Sequence, residues 1–169
     1  FKDYAASIVR NSKALAAAFI AEGAPVATNG TDNHLMLLDV THFGLNGRQA
    51  ESLLRECGIT LNRNALPFDK NGPWYTSGLR LGTPAVTTLG MGEEEMKEIA
   101  SIIVSVLKNA KPAIIAKGEH QGEVSKNRAK APKEVIESAK ERVLKLLSAF
   151  PLYPELDLEF LEKEFPVVE

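Results

Sequence analysis

Two short apolar runs set the architecture of this chain. Leu35 to Val40 and Thr76 to Leu81 are too short for helices and read as strands, the first of them buried. Segments with helical periodicity surround them. Tyr4, Ile8, Leu15 and Phe19 fall on one face of an opening helix that Gly23 stops, with Pro25 just beyond. Asn46 caps a second helix, and Gln49, three residues on, completes a capping box. Ala50, Leu53, Leu54 and Cys57 form the buried face of that helix, and Gly58 closes it. A third helix runs from Gly92 to Lys108. Glu93, Glu94 and Glu95 favour its first turn, and Met96, Ile99, Ile103, Val106 and Leu107 form its apolar stripe. Pro25 to Thr28 and Ile59 to Leu61 read as brief further strands, the former at an edge where proline is tolerated. Short strands alternating with helices predict an α+β fold: one small, mostly antiparallel sheet covered by helices.

This core is expected to occupy residues 1–110. Residues 111–132 are largely polar, lack aromatics and read as an exposed linker. A last amphipathic helix lies within 133–154, packs on the core with Val135, Ala139, Val143, Leu146 and Leu147 inward, and ends at Pro151. Residues 155–169 read as an acidic tail with few anchors. The first residue is Phe1 rather than Met, so the chain is expected to be a piece of a longer protein.

Charge and composition exclude several functions. Twenty Lys and Arg stand against 22 Asp and Glu, a net charge of −2. That balance gives no electrostatic footprint for nucleic acid and no polybasic membrane surface. No apolar run approaches the ~20 residues of a membrane span. Cys57 is the only cysteine, which excludes an internal disulfide and a cysteine-rich metal site and fits a reduced, cytoplasmic compartment. His34, His42 and His120 have no partners at metal-ligand spacing, so no metal is expected. Ser77 lacks the flanking glycines of a nucleophile elbow and reads as a strand-edge serine.

The chemical signal is concentrated in residues 60–90, where residues 62–75 form a Pro- and Gly-rich loop too long to be a plain connection. Arg80 sits in a strand between Leu79 and Leu81, ahead of Gly82 and Pro84. A planar guanidinium flanked by apolar residues can hold a carboxylate through two parallel hydrogen bonds. It can equally be an arginine on the solvent face of an edge strand. Composition alone leaves the two readings level.

Three motifs in order break the tie: Gly30-Thr31-Asp32-Asn33-His34-Leu35, Asn62-Arg63-Asn64 through Pro67 and Asp69, and Thr76-Ser77-Gly78-Leu79-Arg80-Leu81-Gly82-Thr83-Pro84-Ala85. They resemble the C-terminal small domain of serine hydroxymethyltransferase, a pyridoxal-phosphate enzyme of the aspartate aminotransferase-like fold, fold type I. The resemblance runs from the first helix to about Leu107, and Phe150-Pro151-Leu152-Tyr153 resembles the end of the family's terminal helix. It implies a reaction that interconverts serine plus tetrahydrofolate with glycine plus methylene-tetrahydrofolate, with pyridoxal phosphate as electron sink. It implies that Arg80 clamps the substrate carboxylate. It implies that Asn64 and the stretch Gly72-Pro73-Trp74 belong to the folate site.

Gly72 and Trp74 stand where the family often has Ser and Phe, and Leu89 where it commonly has arginine. Arg63 stands where many relatives have lysine. The family's cofactor lysine lies in a Thr-rich His-Lys motif that does not occur here, so pyridoxal phosphate is expected to be bound mainly by a larger domain, and this piece alone to be inactive. The resemblance also implies a homodimeric parent. Two other readings share these residues: a threonine-aldolase-like lyase of the same fold, for which the folate motifs have no use, and a stand-alone ligand-binding or interaction module.

Overall fold

A computed structural model describes residues 1–165. The chain forms helix α1 (Lys2–Ala21), strand β1 (Leu35–Asp39), helix α2 (Gly47–Glu56), strand β2 (Asn62–Asn64), the single helical turn α3 (Gly72–Tyr75), strand β3 (Gly78–Gly82), the short helix α4 (Pro84–Thr88) and helix α5 (Glu93–Lys108). Strands β4 (Lys111–Ile114) and β5 (Val124–Lys130) and helices α6 (Lys133–Ala149) and α7 (Leu158–Glu164) follow. The architecture is α+β, as the alternation of strands and helices predicts. A three-stranded antiparallel sheet has the order β1-β3-β2, and β4 and β5 make a separate two-stranded ribbon.

Register divides the sheet into two faces. Met36 pairs with Leu81 and Leu38 with Leu79, and all four side chains are buried. Leu37 pairs with Arg80, which in turn pairs with Asn62, so these three share the opposite face. The buried face packs on a continuous core with Leu15 and Phe19 of α1, Leu53 and Leu54 of α2, and Met96, Ile103 and Leu107 of α5. Helix α2 begins with the predicted capping box: Asn46 Oδ1 accepts from Gln49 N at 2.9 Å, and Gln49 Oε1 accepts from Asn46 N at 2.8 Å. A glycine is required beside that cap. A Cβ on Gly47 would collide with Thr76 Oγ1 and lie 2.7 Å from Gly78 O, so a side chain there would push α2 off β3.

Several elements differ from expectation. Pro25–Thr28 contributes a single bridge, Val26 to Leu38, before a 3-10 turn over Ala27–Asn29. The strand expected at Ile59–Leu61 is displaced to Asn62–Asn64, because the pairing partners of β3 are Asn62, Arg63 and Asn64. Tyr4 is largely outside the core and donates or accepts at Thr88 Oγ1 over 2.7 Å, whereas the polar Asn11 and Ser12 are buried. Asn11 earns its burial by donating to Thr87 Oγ1 and Met91 O, both at 2.9 Å.

The largest correction concerns 111–132. The segment read as an exposed linker holds β4 and β5, and β5 lies against α2. Gln49 Nε2 donates to Ser125 O at 2.6 Å and Asn46 Nδ2 to Lys126 O at 2.9 Å. Ala113, Ser125 and Ala129 are its buried side chains. Small residues and backbone acceptors leave no apolar period, so composition hides the ribbon. Helix α6 is fastened to α5 by Arg142, which pairs both oxygens of Glu98 at 2.8 Å and reaches Ser101 Oγ at 3.1 Å. Ala139 is buried there, while Leu147, expected inward, is 47% exposed. The stretch read as an acidic tail includes α7, and residues 166–169 of it lie outside the described residues.

The loop from β2 to β3 is closed by one carboxylate. Asp69 accepts from Ser77 Oγ at 2.6 Å, Ser77 N at 2.7 Å, Asn71 N at 2.8 Å and Leu66 N at 3.0 Å. Burial by itself would raise the Asp69 pKa; the hydrogen bonds from Ser77, Asn71 and Leu66 outweigh it and hold the carboxyl below its ordinary value. Asp69 thus binds residues just after β2 to the residue just before β3 and fixes where the intervening turn emerges.

Leu53 is 1% exposed at the centre of α2. Leu53→Ala is expected to lower unfolding free energy by ~2–5 kcal/mol, read from the denaturant midpoint at constant slope. Asp69 supplies a pH signature. Because its folded pKa is depressed, its contribution is fully present above the unfolded carboxyl value of ~3.9 and is lost as pH falls through the folded value. Asp69→Asn is therefore expected to cost stability at neutral pH and to flatten the acid limb of a stability–pH curve below about pH 4. An acid limb identical to wild type would contradict the clasp.

Candidate functional site

Arg80 occupies the central strand of the sheet, paired across to Leu37 on one side and Asn62 on the other. The leucines on either side of it, Leu79 and Leu81, are buried, and the alternation of β3 turns Arg80 to the opposite, exposed face. Its one hydrogen bond among the described residues runs from Nε to Asn62 Oδ1 at 3.3 Å. No described carboxylate lies within salt-bridge distance. The other internal arginines differ. Arg63 Nη1 is 2.5 Å from Glu51 Oε2, and Arg142 is paired with Glu98. Arg80 therefore presents a nearly uncommitted fork of N–H donors on a rigid strand, a geometry suited to a planar carboxylate.

Asn64 lies on the same face. It pairs with Gly78, two residues along β3 from Arg80, and its Nδ2 donates to Ala65 O at 2.7 Å. Gly78 leaves room for this crossing: a Cβ there would sit 2.6 Å from Leu66 Cδ2 and 3.1 Å from Asn64 O. Arg80, Asn62 and Asn64 thus form one polar surface on adjoining strands, next to Leu37.

The turn Gly72-Pro73-Trp74 stands apart from that surface. Gly72 adopts a left-handed backbone at φ +66°, and Thr76, at the other end of the turn, is at φ +58°, an uncommon conformation for a β-branched residue. The Thr76 carbonyl is held by Gly47 N at 3.0 Å and its amide by Gly72 O at 3.0 Å. Trp74 is 58% exposed. Its ring lies 4.7 Å from the guanidinium carbon of Arg48 and 5.4 Å from that of Arg63, and Arg63 Nε donates to Trp74 O at 3.0 Å. Arg63 pairs with Leu79 in the register, so it projects to the α2 side of the sheet, opposite Arg80. The structure brings Arg80 and Asn64 together and sets Trp74 on the helix side of the same strands.

Asp32 and His34 of the 30–35 motif are exposed at the entry to β1; Asp32 pairs with Lys13 at 3.2 Å. Cys57 is buried in the core, which raises its pKa and suits a packed thiol. Sequence reasoning missed Arg48 and Glu51, whose roles arise only when α2 meets the 62–75 loop. Asp69 was visible as part of a motif, and an acidic residue in a Pro- and Gly-rich loop is a recognisable clasp of backbone N–H groups. Among the described residues no group of His, Cys, Asp and Glu could hold a metal ion, and no helix is long and apolar enough to cross a membrane.

The residues present do not make a pocket for pyridoxal phosphate. Twelve of the thirteen lysines are exposed, and the other, Lys140, is half-buried and paired with Glu137 at 3.0 Å. None is held in the core, where a cofactor-bearing amine would be shielded from water.

Residues 1–103 match the family model described as serine hydroxymethyltransferase. Among curated relatives, the serine hydroxymethyltransferase of Treponema pallidum is 56% identical over 165 residues, covering 98% of this chain and 28% of the relative. Those of Chlamydia abortus and Chlamydia pneumoniae are 49% and 48% identical over 161 residues, in each case 95% of this chain and 32% of the relative. The chain thus spans about a third or less of the length of the curated relatives it matches. A family match over more than half of the chain, a stretch that includes the strands bearing Arg80 and Asn64, establishes that the chain belongs to the serine hydroxymethyltransferase family.

Proposed function

We propose that this chain is the C-terminal small domain of a pyridoxal-phosphate-dependent serine hydroxymethyltransferase, in which Arg80 binds the carboxylate of serine or glycine. Asn64, on the Arg80 face, and the Gly72-Pro73-Trp74 turn, on the helix side of the same strands, supply separate parts of the tetrahydrofolate site. The observation that carries this reading is the guanidinium of Arg80, without a carboxylate partner among the described residues, on the exposed face of the central strand, with Asn64 on the same face. In a closed site the α-carboxylate takes two parallel hydrogen bonds from the Arg80 fork, and Asn62 Oδ1 keeps Nε oriented. That contact fixes one end of the amino acid and leaves its reacting carbon to be aligned by the rest of the protein. Folate reaches the same surface through the Asn64 amide. Pyridoxal phosphate and its lysine belong to the part of the protein outside this chain, and the domain works within a homodimeric, cytoplasmic parent.

Two experiments test the division of labour. In the full-length enzyme, Arg80→Ala is expected to reduce turnover efficiency with serine by roughly two to four decades, the consequence of leaving a desolvated carboxylate without its partner. Arg80→Lys should lose less, because it keeps a charge without the planar fork. Cofactor absorbance and folate affinity without amino acid should change little in both. Wild-type serine and glycine affinity in Arg80→Ala would return the residue to a solvent-facing role. The isolated chain, titrated with pyridoxal phosphate, is expected to show no stoichiometric absorbance band; borohydride trapping at a single lysine would contradict the proposal.

A further inference from the structure

Arg48 belongs neither to the Arg80–Asn64 surface nor to the Asp69 clasp. It is the second residue of α2, and its guanidinium carbon is 4.7 Å from the centroid of the Trp74 ring. Among the described residues no carboxylate pairs with it, and its Nε is buried without a hydrogen-bond partner. Arg63 also approaches the ring, at 5.4 Å, but its hydrogen bonds go to Glu51 and to Trp74 O. The charge of Arg48 is thus directed at the indole face, where partial desolvation strengthens a cation–π contact.

The turn that carries Trp74 needs such a hold. It is four residues long, far below the length at which a helix is stable unaided. Both of its ends are held elsewhere: Asp69 ties Leu66, Asn71 and Ser77, and Gly47 N holds the Thr76 carbonyl. At the tip the two arginines contact Trp74, and Lys126 Nζ approaches the neighbouring Tyr75 ring at 5.9 Å; that cation does not touch the indole, and a hydrogen bond to a backbone oxygen does not orient it.

We propose that Arg48 is a positioning residue of the folate site: its guanidinium clamps the Trp74 ring and holds the Gly72–Tyr75 turn in the form that meets folate. The inference rests on the folate reading of Asn64 and the 72–74 turn, and it gives Trp74 a second task as the handle by which α2 sets the turn. The cation–π contact links the capping end of α2, itself packed on β3 at Gly47, to a segment that makes no strand pairing of its own.

The test uses the full-length enzyme. Arg48→Met keeps the length of the stem and removes the charge. It is expected to raise KM for tetrahydrofolate roughly three- to tenfold, with kcat and KM for serine within about twofold of wild type. Arg48→Lys restores a cation over the ring and should lie between the two; it also serves where Arg48→Met does not accumulate. In the double variant Arg48→Met with Trp74→Leu, the folate KM should equal that of Trp74→Leu alone, because the clamp has nothing left to hold. A wild-type folate KM in Arg48→Met or Arg48→Lys, losses spread evenly over folate and serine, or fully additive effects with Trp74→Leu would overturn the clamp. The two readings fail differently. A wild-type protein without folate-dependent turnover removes the folate site itself. Folate-dependent turnover with an unchanged KM in the Arg48 variants removes only the clamp.

Discussion

The pairing of β3 along both of its edges is the constraint on which this domain depends. Gly78 to Gly82 hydrogen-bonds to β1 on one side and β2 on the other, so the strand can neither slip nor turn over without breaking two ladders. A slip of one residue would exchange Arg80 with Leu79 or Leu81, placing a guanidinium in the core and a leucine in water. The apolar pattern of five residues therefore determines which face carries the guanidinium. Burial of Leu79 and Leu81 and exposure of Arg80 are one fact about register seen from two sides.

Around that strand, polar side chains do structural work usually associated with hydrophobic packing. Asp69 gathers four donors to close the loop before β3. Gln49 serves two partners at once, completing the α2 cap through Oε1 and tethering the β4–β5 ribbon through Nε2. Arg142 locks α6 to α5 through both oxygens of Glu98, and the guanidinium holds the Glu98 carboxyl below its ordinary pKa. These contacts are directional, so each fixes an orientation as well as a separation. A small sheet with a three-residue edge strand gains definition from them that its apolar area alone would not supply.

The arginines divide by partner. Among the described residues, Arg63 and Arg142 have carboxylates and stabilise the fold, Arg48 has an aromatic ring, and Arg80 has only the weak acceptor of Asn62. An arginine on a rigid strand with donors to spare is poised for an external anion. Arginines with internal partners have already spent that capacity. This difference, invisible in residue type, is what distinguishes the proposed substrate contact from its neighbours.

Local signals determined much of this protein. The Asn46–Gln49 cap, the strands around Leu35–Asp39 and Gly78–Gly82 and the helix Glu93–Lys108 were legible because capping chemistry and short-range apolar periods act within a few residues. The motifs at 30–35, 62–69 and 76–85 pointed to the family, which the comparisons then established. Tertiary structure decided the rest. Asn62 to Asn64 became a strand because β3 offered an edge, although no apolar alternation marks it. The ribbon at 111–132 formed because α2 reaches its backbone carbonyls, contacts that leave no trace in hydrophobicity. Arg48 met Trp74 across 26 positions of sequence only when α2 packed beside the loop. Hydrogen bonds to backbone atoms and contacts between distant side chains carry no period, so their place in this protein exists only once the chain has folded.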